Sequence, residues 1–438
     1  MATLGALAAW AAGVAAAAWT WDTRCRAAAT TGVQRVAAAA LAGWVLEGLA
    51  LLVLAAFGAA ITPATALIPL VPALLVARRG KTPPRPTTMA TTPLGMVAAV
   101  LLGCATIRVA LHLWQWPWGQ PWSWDVYAVW GFKARFLAAT GGLWRYLGLA
   151  SVYPFSSADY PPLLPAQLAA VSWPAADARH AAIPDVVLLA TAAVLLFELW
   201  RALAGPLAAA SLTLLLVWPA FPLSGALVGL ADRPLALLAA VATTLLLVPP
   251  ERRDPRLLAV CFLGLALLKN EGLPFATALA FAAWLVGGRR RTALAPALAL
   301  VPAVTWHLVI AATGFTSARL AGFTLPTELG SPGAALSRAV IDLATVPDWT
   351  VSVAAALLGA LALLRVPSLR WVAVALLTQV GVVTVALMAG PYPLSWQIST
   401  ALPRLLVQLV PSGLACLAAA VGHRGARTND VVAAASWR

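Results

Sequence analysis

Charged residues are scarce in this sequence. Only 10% of its 438 residues are charged, whereas 62% are hydrophobic. A water-soluble domain of this length needs far more polar surface, so the composition excludes a soluble globular protein. Apolar runs of roughly 17 to 25 residues recur along the whole chain, and a helix of that length crosses a hydrocarbon core about 30 Å thick. The sequence therefore predicts an all-α, polytopic membrane protein.

Cysteine and histidine are also few. The four cysteines lack CxxC spacing and lie in or beside apolar runs, so neither a metal knuckle nor a disulfide framework is indicated. The four histidines are far apart in the sequence. No zinc cluster is therefore expected.

Acidic residues are about half as frequent as basic ones, and the net charge is +14. In a soluble protein this excess would suggest a nucleic-acid partner, but here the Lys and Arg residues follow alternate connecting loops. With the N-terminus outside, basic segments such as ARRGKTPPR (77–85) and ERRDPR (251–256) lie on the cytoplasmic side, as the positive-inside rule requires. We therefore predict a multi-pass protein of the bacterial inner or plasma membrane, with membrane lipids and no nucleic acid as partners.

The apolar runs predict roughly thirteen membrane spans. They are 2–20, 36–59, 61–77, 94–114, 182–200, 206–222, 231–249, 257–269, 272–287, 293–313, 349–364, 371–390 and 402–421. We divide the chain into an N-terminal extension of three helices with a basic cytoplasmic loop (1–93), a transmembrane core (94–422) and a cytoplasmic tail (423–438).

Two predicted outer loops, 115–181 and 314–348, are long, and long loops are usually functional. Apolar residues at helical spacing in the first loop predict a surface helix over 125–140, closed by Gly141-Gly142. A second short helix is expected over about 162–172.

The apolar runs 257–269 and 272–287 are separated by the turn Lys269-Asn270-Glu271-Gly272. A single long span through this region would place charges at mid-depth in the membrane, which is costly unless they are paired. We therefore predict a hairpin of two helices that lines a cavity.

Four segments occur in an order that is more specific than any one of them. They are SWDVYAVWGFKARFLAATGGLW with ADYPPLLPAQLAA in the first outer loop, LVGLADRPLALLAA (227–240), LGLALLKNEGLPFA (263–276) and WQISTALPRLLVQLVP (396–411). Together they resemble the C-type integral membrane glycosyltransferases, particularly the family 39 group of protein O-mannosyltransferases and the lipid A aminoarabinose transferase. The resemblance covers about 94–438. It implies the C-type glycosyltransferase fold.

The resemblance also implies a reaction. A sugar would move from a polyprenyl phosphate donor to a hydroxyl or amine of a glycan, lipid or protein acceptor at the outer face. Asp125 matches the family's first-loop acid and is the candidate base, while Asp159 would act beside it on the acceptor or an ion. The residues alone leave alternatives open, since Asp125 could cap the surface helix and Asp159 could belong to an ordinary turn. A divalent cation could bridge the two acids if they converge.

A departing phosphate requires cations, and a sugar requires a surface on which to stack. The candidate phosphate ligands are Lys269 and Arg404, followed by Arg233 and Lys133. The alternative for each is a side chain that extends to the lipid headgroups. Candidate walls of the sugar site are Trp124, Trp130 and Tyr160, although tryptophan is common at membrane interfaces for other reasons.

The rival interpretation is a transporter or lipid flippase, in which Arg108, Glu47 and Lys269 would line a pathway. Transporters commonly contain repeats with matching broken helices, and this chain has one interrupted segment without a second half like it. A transferase requires Asp125 to share a cavity with Lys269 or Arg404. A transporter requires a polar path that continues toward the cytoplasm.

Overall fold

The fold is seen in a computed structural model of the chain. It describes residues 2–24, 31–71, 96–97, 100–101, 103–104, 107, 125–149, 152–153, 156–172, 182–217, 230–287, 290–314, 347–388 and 401–435. Several predictions fall outside these residues, namely those for Trp124, Arg108, the basic loop 77–85 and nearly all of the second outer loop.

Every regular element in the described ranges is a helix, which confirms the all-α class. The α-helices are α1 (Ala2–Arg24), α2 (Gly32–Ala56), α3 (Pro63–Ala66), α4 (Phe132–Thr140), α5 (Leu143–Gly148), α6 (Leu163–Ser172), α7 (Ala182–Ala204), α8 (Pro206–Val217), α9 (Asp232–Leu247), α10 (Pro255–Leu268), α11 (Gly272–Gly287), α12 (Arg290–Leu298), α13 (Val301–Ala312), α14 (Pro347–Leu364), α15 (Arg370–Met388) and α16 (Leu402–Ala435). A π-helical segment, Val126–Gly131, leads into α4, and a 3-10 turn, Pro250–Arg252, precedes α10.

Three segments of the described chain are long and apolar enough to cross a membrane: Gly32–Ala56, Ile183–Ala204 and Leu294–Ala312. Each coincides with a predicted span. The third consists of the second part of α12 and the whole of α13. The two helices are separated at 299–300 because Pro296 lies inside the first helix and Pro302 at the start of the second. The other ten predicted spans are not among these three segments and stay predictions, including those in the long helices α1 and α16. Several of them are shorter apolar helices, and several lie partly outside the described residues.

Helix α9 forms the centre of the bundle. All 16 of its residues are buried, and it packs against α7, α10 and α16. A helix that is apolar all around belongs in an interior, which explains why Leu and Ala follow its first turn. Its first two residues, Asp232 and Arg233, are therefore buried at one end of the bundle.

The two helices predicted at 125–140 and about 162–172 are confirmed. The first consists of the π-helical segment and α4, and it ends at Gly141, whose φ of 65° is the left-handed conformation that closes helices. The second is α6, which packs against α4. Between them lies α5, a short helix that the sequence did not predict.

The predicted hairpin is also confirmed, because α10 ends at Leu268 and α11 begins at Gly272. The backbone N–H of Gly272 donates to the carbonyl oxygen of Lys269 at 2.9 Å. A Cβ atom at Gly272 would lie only 1.9 Å from the carbonyl oxygen of Leu265 in α10. The two helices can therefore approach this closely only with glycine at the turn.

Gly272→Ala is expected to lower the stability of the protein by about 3 kcal/mol, because the new methyl group meets backbone that has no room to yield. Thermal unfolding of the purified protein in detergent measures the effect. Gly381→Ala is the matched control, since nothing lies within 4 Å of a Cβ atom at that position in α15. An equal response of the two variants would contradict the close approach.

Candidate active site

A buried carboxylate, Asp232, is the centre of a charged cluster at the start of α9. Its Oδ1 atom accepts hydrogen bonds from Lys269 Nζ at 2.9 Å and from Gln408 Nε2 at 2.7 Å. Its Oδ2 atom accepts from Arg404 Nη2 at 3.0 Å and Nε at 3.3 Å. Two cations and an amide thus compensate a carboxylate that has no contact with solvent.

Arg404 joins this buried centre to Asp125, which directly precedes the π-helical segment. While Nε and Nη2 contact Asp232, Nη1 donates to Oδ2 of Asp125 at 2.5 Å. The Asp125 and Arg404 side chains are 24% and 25% exposed, so the outer edge of the cluster is accessible. Asp125 makes no hydrogen bond that caps the helix it precedes. The capping interpretation of Asp125 is therefore wrong, and its carboxylate belongs to the cluster.

Lys269 lies at the end of α10 with its ammonium group directed inward. Besides Asp232, it contacts Oε1 of Glu271 at 3.2 Å, and its Nζ lies 5.9 Å from the centre of the Tyr160 ring. Its side chain is only 5% exposed. This geometry differs from a lysine that extends to the lipid headgroups.

Asp159 lies beside the same turn. Its Oδ2 atom accepts a hydrogen bond from Asn270 Nδ2 at 2.7 Å, and its backbone carbonyl accepts one from the indole of Trp306 at 3.0 Å. The segment before it is strained, because Ser157 adopts a φ of 48°. Such conformations are found where the surrounding contacts enforce them, often at functional sites. Asp159 is thus part of a turn, as the alternative held, but its side chain reaches across to the hairpin.

Lys133, Trp130 and Tyr160 pack together within the segment predicted as the first outer loop. Lys133 Nζ donates to the carbonyl oxygens of Ser157 at 2.6 Å and Tyr160 at 3.2 Å. Trp130 and Tyr160 stack with ring centres 5.4 Å apart. Both Lys133 and Trp130 are 1% exposed. The structure therefore gives them contacts that hold the segment around Asp159, rather than the open faces expected of phosphate and sugar ligands.

Tyr146 of α5 also contacts the segment that precedes Asp159. Its hydroxyl lies 2.7 Å from the hydroxyl of Ser156. Burial raises the pKa of Tyr146 above its ordinary value. The phenol therefore remains neutral at physiological pH and can stay in this hydrogen bond.

Arg233 is placed differently from the prediction. It is fully buried, and its Nη1 atom lies 3.0 Å from Oδ2 of Asp185 in α7. This ion pair joins α7 to α9 inside the bundle. Of the four predicted phosphate ligands, the structure brings Lys269 and Arg404 together on Asp232.

Sequence reasoning missed the residues that organise the cluster: Asp232, Gln408, Asn270 and Glu271. Two signals were present. Asp232 is an acid at the edge of an apolar run, where an unpaired charge would be expensive. Gln408 follows Arg404 by four residues on one helix, which places both on the same face.

No contact of the described residues joins Asp125 directly to Asp159; the former meets Arg404 and the latter Asn270. Within the same residues no group of three or more His, Cys, Asp and Glu side chains could hold a metal ion. In this arrangement Asp125 and Asp159 are therefore not positioned to bind one cation between them.

Comparisons with protein-family models, curated proteins and solved structures returned no match for this chain. The protein is helical throughout its described part and has three segments that can cross a membrane. At one end of the bundle it carries a partly exposed cluster of acids and cations.

Proposed function

We propose that the protein transfers a glycosyl group from a polyprenyl phosphate donor to an acceptor hydroxyl or amine at the outer face of the membrane. The observation that supports this most strongly is the position of Arg404. It joins Asp125, the candidate base, to Asp232, which also binds Lys269. A base and two cations within one hydrogen-bonded cluster are what this reaction requires.

The proposal includes the C-type glycosyltransferase fold with its roughly thirteen spans and a location in the bacterial inner or plasma membrane. The N-terminal end of α9 then faces outside. The acceptor is a glycan, a lipid or a protein.

The chemistry can be assigned to the cluster. The acceptor oxygen or nitrogen bonds to the anomeric carbon of the donor, and the bond from that carbon to the phosphate oxygen breaks. Lys269 and Arg404 stabilise the departing phosphate, and the acceptor proton passes to Asp125. Before the reaction, Asp125 accepts a hydrogen bond from Arg404 Nη1. When the donor phosphate binds Arg404, this hydrogen bond is lost and the Asp125 carboxylate becomes available to the acceptor.

The lipid chain of the donor has a place beside the cluster. An open apolar groove runs between α11 and α15, with Leu273, Pro274, Phe281 and Trp371 among its lining residues. It begins close to Glu271, whose backbone carbonyl accepts a hydrogen bond from Gln379 of α15 at 3.2 Å. A polyprenyl chain in this groove would bring its phosphate to Lys269.

The transporter or flippase alternative requires the polar path to continue toward the other end of the bundle. After Arg233, α9 carries no charged residue up to its end at Leu247, and every one of its side chains is buried. The central helix therefore favours a site that is closed on the inner side.

The test is transfer by the purified protein from a panel of radiolabelled polyprenyl phosphate sugars to membrane extracts. Incorporation of one sugar into a glycan, lipid or protein product supports the proposal and identifies donor and acceptor. Absence of transfer from every donor, together with uptake or lipid scrambling by the protein in vesicles, would replace it with the transporter interpretation.

A further inference from the structure

Three side-chain oxygens around the turn after α10 have no hydrogen-bond partner. They are Oδ1 of Asp159, Oδ1 of Asn270 and Oε2 of Glu271. Asp159 is only 4% exposed, so water compensates its carboxylate little. A buried acceptor without a donor is costly, more so when it is charged. Such a group in a native fold calls for an explanation, and a bound ion is one that carboxylate and amide oxygens allow.

The three oxygens belong to side chains that lie at one turn. The side-chain amide nitrogen of Asn270 contacts Oδ2 of Asp159 at 2.7 Å, which directs that carboxylate at the turn. Glu271 is the next residue, and Lys269 Nζ already occupies its Oε1 atom at 3.2 Å. The turn itself is fixed by the close approach of Gly272 to α10.

The net charge of the side chains around the site indicates which kind of ligand would bind there. Hydroxyl groups of a substrate could donate to these oxygens, but they would leave the charge of the cluster unchanged. In the described part of the site four carboxylates face three cationic side chains: Asp125, Asp159, Asp232 and Glu271 against Lys133, Lys269 and Arg404. Excess negative charge is unfavourable in a region of low dielectric constant, and a donor phosphate would add to it.

We propose that Asp159, Asn270 and Glu271 bind a divalent cation of the Mg²⁺ class. Hard cations prefer carboxylate and amide oxygens. Mg²⁺ in particular is commonly bound by one or two carboxylates together with water and substrate phosphate. The site differs from a bridge between Asp125 and Asp159, because Asp125 is held by Arg404. Cation binding stands independently, whereas its role in receiving the donor phosphate rests on the proposed function.

The experiment uses the full-length protein in detergent, stripped with a chelator and titrated with Mn²⁺ alone. Electron paramagnetic resonance measures the free ion. The wild-type protein should bind one Mn²⁺ per chain, and Asp159→Asn and Glu271→Gln should each weaken binding by at least about tenfold. Asp22→Asn is the matched control, an identical substitution outside the cluster where the carboxylate pairs with Arg35, and it should retain the wild-type affinity.

Absence of stoichiometric Mn²⁺ binding by the wild-type protein overturns the proposal and leaves the three oxygens to hydroxyl donors of the acceptor. Equal loss in Asp22→Asn overturns it as well. If Asp159→Asn fails to elute as a folded protein, Glu271→Gln decides, because the Glu271 side chain is 19% exposed and tolerates an amide. Intact Mn²⁺ binding without sugar transfer would refute the proposed function and leave the cation site standing.

Discussion

Asp232→Asn is expected to abolish sugar transfer and to destabilise the protein by about 3 kcal/mol, since removing one charge of a buried ion pair leaves the other uncompensated. Asp232 organises both cations that would stabilise the phosphate, at 2.9 Å from Lys269 and 3.0 Å from Arg404. An amide at this position offers one acceptor and carries no charge. Both cations would then lose their fixed positions.

Thermal unfolding and transfer rate of Asp232→Asn are measured side by side. Asp22→Asn is the matched control at the other end of the bundle, where the carboxylate pairs with Arg35 and is 23% exposed. An exposed pair contributes little to stability, about 0 to 1 kcal/mol. Wild-type stability and turnover in Asp232→Asn would refute the role of Asp232 as the organising residue.

Asp125→Asn is expected to reduce turnover about 10²- to 10⁴-fold, the usual contribution of a general base. The variant should remain folded, because Asp125 is partly exposed and caps no helix. Donor binding should persist or strengthen, since Arg404 Nη1 loses its carboxylate partner and becomes available to phosphate.

The measurement for Asp125→Asn is turnover at saturating donor together with the donor dissociation constant. A fall in turnover with unimpaired binding identifies a group that acts in the chemical step. Unchanged turnover would mean that another residue takes the acceptor proton.

Local patterns were sufficient to predict the hairpin and the two helices at 125–140 and about 162–172. Glycine at 141 and 272 and the spacing of apolar residues are properties of neighbouring positions, and the structure confirms the elements they indicate. The break within the predicted span 293–313 was not predicted, although Pro296 and Pro302 are local signals for it.

The organisation of the site could not be predicted, because it depends on contacts between distant segments. Asp232 meets Gln408 across 176 positions, and Asn270 meets Asp159 across 111. Lys133 is an example of a predicted site residue whose contacts likewise depend on distant segments. Its charge suggested a phosphate ligand, but the fold buries its ammonium group against two carbonyl oxygens.

The measurement that tests the central claim most directly is the binding of a radiolabelled polyprenyl phosphate sugar, which requires no knowledge of the acceptor. Arg404→Gln should weaken binding by about 10- to 100-fold, the value of a lost charge-assisted hydrogen bond. Arg201→Gln is the matched control, since Arg201 pairs with Glu198 and is 31% exposed. It should bind like the wild type. Donor binding that survives Arg404→Gln unchanged would contradict the assignment of the phosphate site to this cluster.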